Sequence, residues 1–259
     1  MSSLTATIEG IGFWAGGLPS WAQARAYAAG QPLPTDAPSK PAPQLLAPNE
    51  RRRAPESVAV ALEVAQAACL DAGRDPQTLP SVFASTHGDL AITDYMCATL
   101  AAEPRAISPT KFHNSVHNAA AGYWTIGNGC VQATTAISAY DATFAQGLLE
   151  AMLQLASGAD AVLLAAYDTA SAGPLAAVSQ SRGLLGGALV LSNASAGTRL
   201  RATLVDGEPR AAAGPLARFA ADNAIAPMLP LFDALASGDD VAWLKAGPGR
   251  MLRVEISHA

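Results

Sequence analysis

Tyr140 and Asp141 stand between an apolar run ending near residue 139 and an apolar stretch over residues 142–157. A strand that turns sharply into a helix is where many enzymes present a nucleophile, at the positive end of the helix dipole. Here the apex holds a phenol and a carboxylate instead. Asp141 could act as a catalytic acid, or could cap the helix, satisfying orphan N–H groups for about 1 kcal/mol. Tyr140 could line or plug a tunnel, or simply pack. The other chemical-looking cluster is "FHNSVHN", with His113, Asn114, His117 and Asn118. Two histidines at i and i+4 share one face of a helix, the arrangement of a metal pair or of an acid–base pair. The HExxH pattern is absent and no third ligand is identifiable, so no metal is expected. The cluster reads best as hydrogen-bonded side chains that organise a loop. His87 and Asp89 in "STHGDL" follow a strand, with Asp89 placed to cap the next helix.

No cofactor signature accompanies these residues. GxGxxG and GxxxxGK[ST] do not occur, and Gly186-Gly187 is only a superficial fragment of such a loop. Cys69, Cys97 and Cys130 are odd in number and lack metal-ligand or CxxC spacing, so they are expected as buried, reduced thiols.

The elements that must position these groups alternate between strand and helix. Residues 5–13 read as a first strand ending in a glycine turn at Gly10 and Gly12, and residues 20–29 as a helix. Prolines at 32, 34, 38, 41, 43 and 48 predict an extended surface excursion. Pro55 then opens an amphipathic helix that stops at Gly73. A short strand at 81–86, a helix to about 103, an irregular or helical stretch to 129 and a strand over 131–139 lead to the elbow. Residues 160–170 form an apolar run without alternation, as in a strand covered on both faces. A hairpin-like pair over 186–208 follows, then a tail with one helix near 226–238 and one strand at 250–257. The pattern predicts an α/β class with a mixed sheet and helices on its faces. In the stretch 142–157, before the closing Ser157, only Thr143, Gln146, Glu150 and Gln154 are polar, and the last three form one narrow stripe. Such a helix must be buried nearly all round, which predicts a place between two sheets or under a partner subunit.

Of 259 residues half are hydrophobic, 14% are charged, and the formal net charge is -5. That balance argues against a nucleic-acid surface. The N-terminus lacks the features of a signal peptide and no window is apolar enough for a membrane span, so a cytoplasmic protein is expected.

The run from Gly122 through Thr125, Ile126 and Gly129, followed by a strand, an apolar helix and Gly158-Ala159-Asp160, resembles the central stretch of β-ketoacyl synthases of the thiolase fold. "IEGIGFWAGG" resembles that family's opening strand, and "SRGLLGGALVLSNAS" with "TRLRATLVDGE" its closing strand pair. The resemblance implies a thiolase-like layered fold, with a ketosynthase N-terminal-like domain at 1–207 and a short helix-strand tail at 208–259 packing on it. Counting forward from Gly122 and backward from Ala151 both put the family's nucleophilic cysteine at Asp141. The nucleophile is therefore missing, as are the family's C-terminal histidine motifs. "SPTKFHNSVHNAAAGYWTI" and "STHGDLAITDYMCATL" are similar to chain-length factors, and in particular to the short ketosynthase-like subunits of aryl polyene pathways. This implies a subunit with no catalytic residue or cofactor of its own, paired with a full-length ketosynthase and reaching acyl carrier protein through the complex. His113, Asn114, His117, Asn118, Tyr140, Asp141 and Phe144 are then candidates for the interface or acyl tunnel, Phe144 and Met152 being core residues first. The strand at 131–139 would pair across a two-fold or pseudo-two-fold axis. Two alternatives stand beside this: a decarboxylase or acyl-transfer enzyme using Asp141 with His113 or His117, and a homodimeric acyl-binding scaffold.

Overall fold

Among the described residues eight strands form one mixed sheet, and helices cover both of its faces. The structure, a computed structural model, describes residues 3–208 and 214–258. Strand β1 (Ser3–Ala15) leads to helix α1 (Trp21–Ala28), where Ser20 accepts the N–H of Gln23 as a cap. The proline-rich segment holds only the single turn α2 (Pro48–Arg51), and α3 (Glu56–Ala72) runs from Pro55 to the left-handed Gly73. Next come β2 (Ser81–Ala84), α4 (Leu90–Ala102), α5 (Pro109–Asn114), α6 (Ala119–Asn128) and the short β3 (Thr134–Ile137). Helix α7 (Thr143–Ala156) is followed by β4 (Ala161–Asp168), β5 (Leu185–Ser192) and β6 (Thr198–Asp206). The C-terminal elements are α8 (Pro215–Phe219), α9 (Leu229–Ser237), β7 (Val241–Gly247) and β8 (Arg250–Ser257). Residues 209–213, just past the expected boundary at 207, lie outside the described residues.

The strand order is β3-β2-β4-β5-β1-β6-β8-β7. β3, β2 and β4 are parallel, and every other neighbouring pair is antiparallel. β4 and β5 lie near the middle and are buried at every residue, so their sequences show no alternation. One face carries α3 and α6 over Trp14, Phe83, Trp124 and Tyr167. The other carries α1, α7 and α9 over Phe13, Phe144 and Phe232, whose rings contact one another.

Three expectations are corrected. Gly10 and Gly12 lie inside β1, which continues to Ala15. Their role is close approach: a Cβ on Gly12 would sit 2.0 Å from the Val64 carbonyl oxygen, and one on Gly10 2.2 Å from that of Ala68, so α3 can lie directly on the strand. The strand expected over 131–139 is only four residues long, because β2, its one strand partner among the described residues, offers only four. Helix α7, expected to be buried nearly all round, is buried at eight of its fourteen residues, and against one sheet. β7, the last strand in the order, packs back against α7, and the Gln146 side-chain amide donates to the Ala246 carbonyl at 2.8 Å. The sheet therefore curls toward the helix, and Leu149, Leu153 and Ala156 stay accessible with the polar stripe. The tail also contains β7, an alternating strand not anticipated from the sequence.

A bulge between Ile8 and Gly10 turns Glu9 out of the β1–β5 ladder. There Arg74 donates from Nε and Nη2 to both oxygens of Glu9, at 2.6 and 2.8 Å, and from Nη1 to Asp160 at 2.7 Å. The Arg74 hydrogen bonds hold the Glu9 carboxyl below its ordinary pKa. A depressed folded-state value contributes stability above the unfolded pKa of about 4.3, lost as pH falls through the folded value. Glu9→Gln should thus lower Tm at pH 7 by a few degrees, about 1 kcal/mol for a partly buried bidentate pair. Thermal melts should show the difference vanishing toward pH 3; a constant difference would reject the ionic origin.

Candidate functional site

The parallel strands β2, β3 and β4 end together, and their C-terminal ends carry the densest polar network of the chain. Asp168, the last residue of β4, is fully buried. Its carboxylate accepts from Ser85 Oγ at 2.7 Å and from the backbone N–H groups of Thr86 at 2.9 Å and His87 at 3.2 Å. Ser85 Oγ in turn accepts the N–H of Gly88 at 2.8 Å. Burial pushes the Asp168 carboxyl above its ordinary pKa, opposed by these donors. His117 reaches the same corner and donates Nε2–H to the Ser85 carbonyl at 2.8 Å. His87 Nε2 hydrogen-bonds Ser179 Oγ at 3.0 Å, tying the loop after β4 over the strand ends. Asn223 donates to the carbonyl oxygens of Arg182 and Asp168, at 3.0 and 3.3 Å, and secures the loop before α9.

The elbow stands beside this network. Tyr140 has φ +53°, the one non-glycine residue with positive φ among the described residues. For a bulky side chain that conformation is an outlier costing about 1–3 kcal/mol, tolerated only where surrounding contacts over-determine it. Those contacts are local: Thr143 Oγ1 accepts the Ala139 N–H at 2.9 Å and donates to the Tyr140 carbonyl at 2.6 Å. Ser138 Oγ donates to the Thr86 carbonyl at 3.0 Å, joining the elbow to the strand beside it. Tyr140 is 63% exposed.

The apex of the elbow is therefore Tyr140, one residue before the position reached by counting. The capping role expected for Asp141 is also not what it does. Its carboxylate meets Lys245 Nζ of β7 at 3.4 Å, and no side chain caps the start of α7. With both partners well exposed, this pair contributes little stability.

The remaining candidates are dispersed. Helix α5 stops at Asn114, so His113 and His117 do not share a helical face. His113 is exposed, packs edge-on against Tyr123 at 6.0 Å, and with Asn118 lines a cleft of about 390 Å³ between α6 and the proline-rich segment. Asn114 is buried instead, facing a separate groove near Lys111 and Asp89, and its Oδ1 has no partner. Phe144 is a core residue against Phe232. Asp89 caps α4 by accepting the Ile92 N–H at 3.0 Å, as expected. Among the described residues no three His, Cys, Asp or Glu side chains form a group able to hold a metal ion. Cys69 and Cys130 are buried, burial raising the Cys69 thiol to about 12, whereas Cys97 is exposed on α4.

Two residues of the site escaped the sequence reading: Asp168 left a signal, a lone acid closing a seven-residue apolar run, whereas Lys245 left none. The outer edge of β3, expected to pair with another chain, has no strand neighbour among the described residues, and Val131 and Ile126 beside it are 94% and 80% exposed. Val131 to Thr134, Ser138 and Tyr140 are all exposed, making a continuous ribbon from α6 to the elbow.

A family model described as the N-terminal domain of β-ketoacyl synthase matches residues 20–244. No curated protein sequence matches. Among solved structures, the chain is similar to one from the ketosynthase ApeO in complex with its chain length factor ApeC from Xenorhabdus doucetiae. The TM-score is 0.78 at 22% identity, covering 97% of this chain and 99% of that one. The ishigamide ketosynthase/chain length factor gives 0.74 at 16% identity, covering 98% and 99%. The ketosynthase from module 1 of the bacillaene synthase of Bacillus amyloliquefaciens FZB42 gives 0.56 at 15% identity, covering 81% of this chain but 47% of that one. These likenesses establish a shared thiolase-like ketosynthase fold. No helix among the described residues is long and apolar enough to cross a membrane.

Proposed function

Because this chain belongs to the β-ketoacyl synthase N-terminal domain family, we propose that it serves as a chain-length-factor subunit without condensing chemistry of its own. One observation carries the reading: the elbow keeps the strained backbone of a nucleophile site but presents Tyr140. A phenol at that apex cannot form the thioester through which condensation passes. The nearest thiol in sequence, Cys130, lies before β3 and is buried beside the Leu79 carbonyl.

In this reading a full-length ketosynthase supplies the cysteine and decarboxylative condensation, and this chain helps shape the acyl space and supports its partner. Acyl carrier protein meets the complex, which is cytoplasmic. Two features favour a protein partner at β3. An unpaired strand edge is a template for adding another strand, and Val131 and Ile126 add exposed apolar surface beside it. Two matched structures of similar chain length are ketosynthase/chain length factor complexes, which agrees with such pairing. A catalytic role for Asp141 with His113 or His117 has less support, since these groups engage Lys245, Tyr123 and Ser85 respectively.

Co-expression of this chain with the full-length ketosynthase of the same genome should give a 1:1 complex by light scattering. The complex should elongate malonyl units on carrier protein, with turnover lost when the partner's nucleophile is removed and kept in Asp141→Ala. A chain that purifies alone and binds no ketosynthase would reject the proposal.

A further inference from the structure

We propose that Tyr140 is the anchor of the partner interface, held toward the ketosynthase by the strained elbow; this deepens the paired-subunit reading and rests on it. The turn is over-determined by Thr143, which bonds both Ala139 and Tyr140, and by Ser138, which bonds the neighbouring strand end. All of this fixes a conformation that tyrosine adopts reluctantly and that asparagine or glycine would take readily. The result is an aromatic residue that is 63% exposed and stands outside the ring cluster of Phe13, Phe144 and Phe232.

The position of the ring narrows what it can meet. It closes the exposed ribbon that begins at Val131 and follows the open edge of β3, so a chain added along that edge reaches Tyr140 next. The charge of the adjacent Asp141 is paired with Lys245. Interface centres are depleted of net charge and rich in tyrosine, whose rigid ring loses little entropy on docking. Strain then has a physical role: the turn fixes the direction of the ring before the partner arrives, reducing the ordering that binding must impose.

The test uses the intact chain and the full-length ketosynthase of the same genome, with two variants. Tyr140→Asn keeps a residue suited to positive φ but removes the ring, and Tyr140→Phe keeps ring and strain. In Tyr140→Asn the free chain should melt a few degrees higher, while affinity for the ketosynthase falls at least tenfold, chiefly through faster dissociation. Tyr140→Phe should bind within about threefold of wild type, since the ring carries the contact. A Tyr140→Asn chain that binds within twofold of a binding wild type overturns this inference and leaves the paired-subunit reading intact. A wild-type chain that does not bind overturns both. A lower melting temperature for Tyr140→Asn would show that the ring serves the fold of the free chain, and would also overturn the inference.

Discussion

Replacing Ala136 with proline should weaken binding to the ketosynthase by about 10- to 100-fold, roughly 1.4–2.8 kcal/mol, while the isolated chain stays folded. The reason is the register of β3. The carbonyl groups of Ala133 and Ile137 accept from the N–H groups of Ser81 and Ser85, so the odd positions of this segment face β2. Backbone groups alternate along a strand, which turns those of Thr134 and Ala136 to the open edge. Proline at 136 therefore deletes an outward donor and places its ring in the path of an added strand, without removing a bond to β2. Edge strands tolerate proline for this reason. The lost hydrogen bond accounts for about 1 kcal/mol and the obstruction for the rest. Calorimetric titration against the ketosynthase measures the affinity, and circular dichroism checks the fold. Unchanged affinity would mean that the partner does not add along β3.

A second large effect is expected at Asp168. Asp168→Ala leaves the N–H groups of Thr86 and His87 and the hydroxyl of Ser85 facing a buried, acceptor-free space. Each buried donor left unpaired costs about 1–3 kcal/mol, and the two backbone groups cannot turn away. The sum is at least about 3 kcal/mol, a fall in Tm of about 6–12 °C for a chain of this size. Because Thr86 and Ser138 join this corner to the elbow, the loss should also loosen the turn at Tyr140. Hydrogen exchange at residues 138–143 reads that directly. A stable variant with unchanged exchange there would show that the network does not position the elbow.

Much of the scaffold was legible because burial leaves a direct trace in residue type. Helix α7 is apolar except for its thin stripe, and β4 lacks alternation, so both announced that they are covered. Asp89 before Leu90 announced a cap for the same local reason. The site was harder to read. The i, i+4 spacing of His113 and His117 implied a shared face, but Pro109 opens a helix of barely two turns that ends at Asn114. Counting along the chain reached Asp141 because it assumes register, whereas the apex is a matter of one dihedral angle. Residue type even argued against Tyr140, since tyrosine disfavours positive φ. Lys245 carries no mark of its encounter with Asp141, 104 residues away in the chain. β7 alternates visibly, yet nothing in its sequence states that it packs back against α7.

The sequence by itself determined the class of the fold, the covered helix and the absence of a cysteine at the elbow. Each is a property of side-chain type and short-range spacing, which burial and capping impose residue by residue. Only the tertiary structure decided that Tyr140 is the apex and that one curled sheet rather than two covers α7. Those features also need contacts between segments distant in the chain: Ser138 bonds the β2 corner beside the turn, and β7 folds back to meet it. Their energies are differences between alternative packings of the same residues, and no local pattern records which packing prevails.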